Sequence, residues 1–337
     1  VTDLTVSAPC SAELITLDDI TAAAEQIAGR VVPTPTVSSP GLAALLGVPV
    51  TAKLELLQRS GSFKARGAYA KLLGLNAAER AAGVVAVSGG NHGTALSEAA
   101  GSLGITATVV MARTAPRRSI EACRAAGAEV RLTEDMADAF ALMDRLVAEG
   151  RTLVHPFDDP AVIAAQGTVG LEFAAAAPDV TDVLVSIGGG GLIAGVAVAI
   201  KALLPAVRVW GVETEGADAM TRALAAGAPV DFRPTSIVTT LSAPHASPLT
   251  LAHVQALVED VIVVSDAEAV AGTITLAEQA GVWAEPAAGC LIPAARRILD
   301  RVGPGVHLGL VLCGRNASFA DLYRLSGIGL PGSKTSE

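Results

Sequence analysis

From Val183 to Ile200 the chain runs eighteen residues without a charge, and four consecutive glycines, Gly188 to Gly191, cut the run in two. Eighteen apolar residues are the nominal length of a membrane-spanning helix, but glycine loses the most backbone freedom on folding, and four together break a helix. The run therefore reads as a β-branched strand, Val183 to Ile187, a glycine turn, and a buried helix from Leu192 toward Leu204.

The same alternation recurs along the chain and predicts an α/β fold built on mostly parallel sheets. Strands are expected at Val84 to Ser88, Thr106 to Met111, Ala128 to Leu132, Val183 to Ile187, Arg208 to Glu213, Val261 to Val264 and Val306 to Cys313, with a strand-like Val50 to Leu56. Helices are expected at Gly93 to Leu103, Ser119 to Ala126, Met136 to Val147, Ala161 to Ala177 and Ala267 to Ala280, where alanine favours helix and close packing. Residues Arg233 to Pro248 read as a long irregular connection, and Gly332 to Glu337 as a fraying end. The length, 337 residues, suits two lobes. Turn signals at Gly150 and at His155-Pro156-Phe157-Asp158-Asp159-Pro160 divide the chain into a large lobe, 1–52 with 155–337, and a small lobe, 53–154, with function in the cleft between them.

Composition removes several classes of function. With 51% hydrophobic and 17% charged residues the chain is neither disordered nor a coiled coil. A net charge of −9 without a basic stripe argues against nucleic acid and anionic membranes as partners. Cys10, Cys123, Cys290 and Cys313 are too scattered for a zinc, redox or disulfide framework, which points to a reducing cytoplasm. Asp3 and Glu13 stand where a basic leader would need positive charge, so no targeting segment is expected.

Three strand-to-helix turns carry the chemistry. At Gly188-Gly189-Gly190-Gly191-Leu192 the missing Cβ atoms let successive N–H groups converge on phosphate oxygens at a helix N-terminus. Gly189-x-Gly191-x-x-Ala194 with Glu213 beyond also matches a dinucleotide fingerprint, so a nicotinamide oxidoreductase stays open. The second turn, Ser60-Gly61-Ser62-Phe63-Lys64, holds one of only five lysines against nineteen arginines. A lysine desolvated in an apolar cleft becomes a nucleophile able to form a Schiff base with an aldehyde, although an ordinary helix-face lysine fits the same letters. The third, Ser88-Gly89-Gly90-Asn91-His92, offers donors for a carboxylate, or a plain capped helix start. His155, His245, His253 and His307 lack ligand spacing and read as surface or satisfied core residues; Asp158 and Asp159 read as loop-shaping. Ser242 with His245 lacks a nucleophile elbow, so no hydrolase is expected.

In this order the motifs resemble the serine/threonine dehydratase family of fold-type-II pyridoxal 5'-phosphate enzymes, from about Thr34 to Ala317. Beside the three turns, Gln166-Gly167-Thr168-Val169-Gly170, Glu285-Pro286-Ala287-Ala288-Gly289 and Cys313-Gly314-Arg315-Asn316 fall at family positions. The resemblance implies a two-lobed fold, a homodimer, and Lys64 as the residue that holds the cofactor as a Schiff base and then removes the substrate Cα proton. It further implies that Phe63 lies beside the pyridine ring, that Asn91 bonds its 3'-hydroxyl, and that Gly188 to Leu192 bind its phosphate. Glu285 would line the far ring edge, and Ser88, Gly89, Asn91 and His92 the substrate carboxylate. Cys313 would face the pyridine nitrogen; a neutral thiol cannot stabilise a pyridinium as an aspartate would, which suits β-elimination better than transamination.

Departures from the family pattern qualify what the resemblance implies. Gly89 replaces the serine that racemases of the family use as a second acid/base, so little racemisation is expected. Val238-Thr239-Thr240 replaces an Ala-Asp-Gly stretch beside the substrate side chain, and Ala219 replaces a carboxylate, leaving Glu213 and the Ala217 carbonyl as an incomplete cation site; no metal is expected. Arg315 replaces a glycine for no evident reason. The chain ends about twenty residues past Asn316, and no feedback-regulatory domain is expected. The expected reaction releases ammonia and a 2-oxo acid from a β-hydroxy-α-amino acid, by default L-threonine or L-serine, with hydroxyaspartate or an aryl-serine open. β-Replacement, a nicotinamide oxidoreductase and a silent binding protein are the alternatives.

Overall fold

The structure, a computed structural model, describes residues 13–326; Asp3, Cys10 and the segment 332–337 lie outside the described residues. The chain begins with α1 (Leu17–Ile27), β1 (Thr36–Ser38), α2 (Pro40–Leu46) and β2 (Val50–Lys53). It continues through α3 (Lys64–Leu73), α4 (Ala77–Ala82), β3 (Val84–Val87), α5 (Asn91–Leu103), β4 (Ala107–Ala112), α6 (Arg117–Ala125), β5 (Glu129–Thr133), α7 (Met136–Ala148) and β6 (Thr152–Leu153). Then follow α8 (Pro160–Ala176), β7 (Asp182–Ser186), α9 (Gly191–Leu203), β8 (Arg208–Thr214), α10 (Ala219–Ala226), α11 (Pro248–Leu257), β9 (Asp260–Val264) and α12 (Asp266–Thr275). The last elements are α13 (Pro286–Gly289), α14 (Leu291–Leu299), β10 (Leu308–Val311) and α15 (Phe319–Ser326).

Two sheets result. A six-stranded sheet has the order β1-β2-β10-β7-β8-β9, parallel except for the antiparallel edge β1. A four-stranded sheet, β5-β4-β3-β6, is wholly parallel. Its central strand β4 is buried along its whole length, as expected of a strand covered on both faces. Between the sheets α8 and α9 approach closely because a side chain at Gly195 would strike the Ile163 carbonyl and one at Gly167 would strike Ile20. Ligands of such sheets bind outside the carboxyl ends of the strands, which here are Ser186 of β7, Val87 of β3 and Val311 of β10.

Each expected strand and helix forms, with shifted ends. The strand expected through Cys313 leaves its ladder at Val311, and Phe63 N–H then bonds the Cys313 carbonyl, which turns that residue toward the start of α3. Val50 to Leu56 is strand only to Lys53; the next turn is 3₁₀ at Glu55–Leu57, because Glu55 is pulled inward by a buried arginine. Ala267 to Ala280 is α-helical to Thr275 and finishes in one π turn, Leu276–Ala280, stopped by Gly281 in the left-handed region. The connection from Arg233 into Ser247 is irregular, as expected. Several short helices were not anticipated, α1, α2, α4, α10, α11 and α14 among them. Three of these carry capping boxes, Thr16 with Asp19, Asn76 with Glu79 and Ser247 with Thr250. Among the described residues no helix is long and apolar enough to cross a membrane.

Candidate active site

The carboxyl ends of both sheets open on one cavity of about 540 Å³. Every residue singled out for the site lines it: Phe63, Lys64, Ser88, Gly89, Asn91, His92, Gly188, Gly189, Gly190, Gly191, Leu192, Glu285 and Cys313. Sequence regions far apart meet here because β7, β3 and β10 end at the same place.

Lys64 is the first residue of α3. Its Nζ donates to the Pro156 carbonyl at 2.7 Å and stands 5.0 Å from the centre of the Phe63 ring. Burial pushes its pKa down to about 8. Of the other described lysines, Lys53 pairs with Glu172 at 2.5 Å and Lys71 with Asp159 at 2.6 Å, while Lys201 also bonds a carbonyl, that of Val207, but does not line the cavity.

Behind Lys64 lies a buried ionic cluster. Arg66 binds Glu55 through Nε and Nη2 at 2.9 and 2.8 Å and Glu172 at 2.6 Å, and Thr34 bonds Glu55. Burial opposes the guanidinium charge, but Glu55 and Glu172 outweigh it and hold the arginine protonated. Arg66 is thus clamped between the β2 side and α8, and it fixes the first turn of α3.

The glycine loop has no room for side chains. A Cβ at Gly188 would sit 3.2 Å from the Leu241 carbonyl oxygen, one at Gly189 would enter the Phe157 ring, and Gly190 adopts φ +93° with Met220 and Thr250 each 2.8 Å from any Cβ. The helix it opens, α9, has no side-chain cap, so its first-turn N–H groups are free. These amides, the partial positive charge of the helix end and the low-pKa amine of Lys64 fit a phosphate-bearing aldehyde.

On the opposite wall Asn91 Nδ2 donates to Glu285 Oε1 at 2.8 Å, and Asn91 Oδ1 accepts from Asn316 Nδ2 at 2.7 Å. Asn316 also donates its N–H to Glu285 Oε2 at 2.9 Å and its amide to Ser60 O at 2.8 Å. Burial pushes the Glu285 carboxyl above its usual range, opposed by its donors. Cys313 accepts from Ser186 Oγ at 3.4 Å; burial, reinforced by Glu285, pushes its thiol up to about 12, so it is neutral. The His92 ring lies against the Val154 carbonyl, 2.8 Å from Nε2, and burial pushes its pKa down to about 3. A neutral ring donates its Nε2–H there. Ser88 Oγ accepts from Gly90 N–H at 3.3 Å, which leaves its hydroxyl proton available.

The readings of His155 and Asp159 change, and hydrogen bonds speak against the dinucleotide use of Glu213 and, as expected, against a Ser242–His245 pair. His155, read as a surface or core residue, lines the cavity: its Nδ1 accepts N–H groups from Asp158 at 2.7 Å and Phe157 at 3.4 Å, so the ring proton is on Nε2. Burial pushes its pKa down to about 4. Glu213, the acidic residue of the dinucleotide fingerprint, is fully buried and accepts from Met220 N–H, Thr221 N–H and the Thr221 hydroxyl at the start of α10, so it presents no surface to a ribose. Ser242 donates to the Val238 carbonyl and His245 faces Asp231, so the two do not pair. Asp159, read as loop-shaping, caps α8. Sequence reading did not name Asn316, Pro156, Ser186 or the α7 residues of the cavity wall as site residues; the first two stand in motifs that had drawn notice.

The model of the family described as "Pyridoxal-phosphate dependent enzyme" matches residues 27–314. The phenylserine dehydratase of Ralstonia pickettii is 42% identical over 84% of this chain and 87% of its own length. The L-threonine ammonia-lyase of Thermotoga maritima is 39% identical over 94% and 79%. Maize serine racemase superposes with a TM-score of 0.87 at 32% identity, covering 93% of this chain and 97% of that one. A match spanning most of both lengths, onto a site whose amine, glycine cradle and neutral thiol suit the cofactor, places this chain in the family of pyridoxal-phosphate dependent enzymes.

Proposed function

We propose that the protein removes water from β-hydroxy-α-amino acids, by default L-threonine or L-serine, and releases a 2-oxo acid and ammonia. The observation that carries this reading is the part-buried Lys64 amine, whose only hydrogen-bond partner among the described residues is the neutral Pro156 carbonyl. The relatives named for phenylserine and threonine eliminations support it.

Pyridoxal phosphate, bound through that amine, supplies the electron-withdrawing ring that acidifies the substrate Cα–H. Gly188 to Leu192 would hold its phosphate with main-chain N–H groups, and Phe63, Asn91, Glu285 and Cys313 would surround its ring. Ser88, Asn91 and the amides of Gly89 and His92 receive the substrate carboxylate at the start of α5. Lys64 Nζ takes the Cα proton, and the His155 Nε2–H is the donor open to the departing hydroxyl. The Cα–H and Cβ–O bonds break, water leaves, and the released enamine is hydrolysed. The neutral Cys313 thiol would not stabilise a protonated ring nitrogen as a carboxylate does, which suits elimination.

Part of the same reading is a large lobe, 1–52 with 155–337, a small lobe, 53–154, and a homodimer in a reducing cytoplasm. The two separate sheets support the lobes, and the three free, buried cysteines among the described residues support the compartment. Ammonia and 2-oxo acid appearing together, without an added nucleophile, test the reaction against β-replacement; failure of either product to appear contradicts it.

A further inference from the structure

We propose that the cavity wall on the side of the four-stranded sheet is a receptacle for a large apolar β-substituent, so that the substrates of choice are β-aryl-β-hydroxy-α-amino acids. This rests on the elimination reading and adds the substrate class. Met136, Phe140 and Met143 recur at i, i+4 and i+7, which puts them on one face of α7, and all three line the cavity. Met143 packs in the cluster containing Val87, the residue before Ser88, so this face lies beside the substrate-carboxylate turn. Opposite it the residues are small: Ala112, Ala115 and Pro116 line the cavity, and Ala115 Cβ lies 3.0 Å from where a Gly89 side chain would begin. Met136 and Phe140 remain 45% and 41% exposed, apolar surface that a methyl group or a hydrogen on Cβ is too small to cover.

Charge points the same way. Among the lining residues the only lysine is Lys64 and there is no arginine; of the three lining histidines His92 and His155 are neutral, and His245 is already engaged by Asp231 at 2.8 Å. A β-carboxylate, as in a hydroxyaspartate, would enter without a cation to meet it, at the cost of an unpaired buried charge. An aryl group has Met136, Phe140 and Met143 to pack against.

Two measurements on the holoenzyme test this. L-Phenylalanine and L-alanine lack the β-hydroxyl and cannot lose water, so calorimetry reads the receptacle without turnover; phenylalanine is expected to bind about tenfold or more tightly. In turnover, L-threo-phenylserine is expected to exceed L-threonine in kcat/KM by about the same factor, L-threo-3-hydroxyaspartate to be the poorest, and Phe140→Ser to shrink the phenylserine advantage. Equal binding of the two inhibitors, or a preference for threonine, overturns the proposal and leaves the elimination reading intact. Tighter phenylalanine binding with no ammonia from any hydroxy amino acid sinks the reaction and leaves the receptacle standing.

Discussion

Lys64 differs from its neighbours in what faces its charge. Lys53 and Lys71 each meet a carboxylate, whereas Lys64 meets a carbonyl and an aromatic ring in a buried setting that pushes it to about 8. Modification of the cofactor-stripped protein by trinitrobenzenesulfonate, followed at the Lys64 peptide, is therefore expected to rise with a midpoint near pH 8. A midpoint near the ordinary 10.5 contradicts the desolvated amine. Lys64→Ala is expected to lower kcat by about 10²–10⁴-fold or more with far-ultraviolet circular dichroism unchanged. Gly89 brings no proton to the second face of the substrate, and a Cβ there would crowd Ala115. Chiral chromatography of L-serine incubations should accordingly detect no D-serine, and steady accumulation of it would count against the assignment of that turn.

At the level of elements, α3 is held by ions that were not legible in the chain. Arg66 lies two residues after Lys64 and looked like an ordinary helix charge, but its partners Glu55 and Glu172 come from a 3₁₀ turn and from α8, and only tertiary packing brings them together. Removing one partner leaves buried charge uncompensated, so Arg66→Leu is expected to destabilise by about 3–5 kcal/mol in urea unfolding. A loss below about 1 kcal/mol would mean that the cluster behaves like an exposed pair. The glycine loop, by contrast, was legible because four missing side chains in a row have few uses, and each proves to face a neighbour that would exclude a Cβ. His155 was misread for the opposite reason: its role depends on which ring nitrogen its own loop occupies, and no spacing rule encodes that.

Across the whole molecule, the alternation of short apolar runs with alanine-rich helices was enough for the α/β class and the expected strands, since a parallel strand buried on both faces writes itself as a continuous apolar run. The edge strands β1 and β6, three and two residues long, leave no such trace. Global stability should carry the signature of the cleft. His92 and His155 are held neutral, down to about 3 and about 4, against an ordinary 6.5. As pH falls below 6.5 the unfolded chain takes up protons that the folded one refuses, so these rings cost stability progressively from about pH 6.5 down to about 4 for His155 and about 3 for His92, and nothing above that window. Thermal melting should show Tm falling across it, and a double His92→Gln, His155→Gln variant should flatten the fall; an unchanged slope assigns it to other groups. The central claim, however, is a covalent one. Borohydride reduction of the purified holoenzyme, followed by peptide mass mapping, is expected to place a single pyridoxyl group on Lys64, whereas a label on Lys53, Lys71, Lys201 or Lys334, or no label at all, would contradict the account.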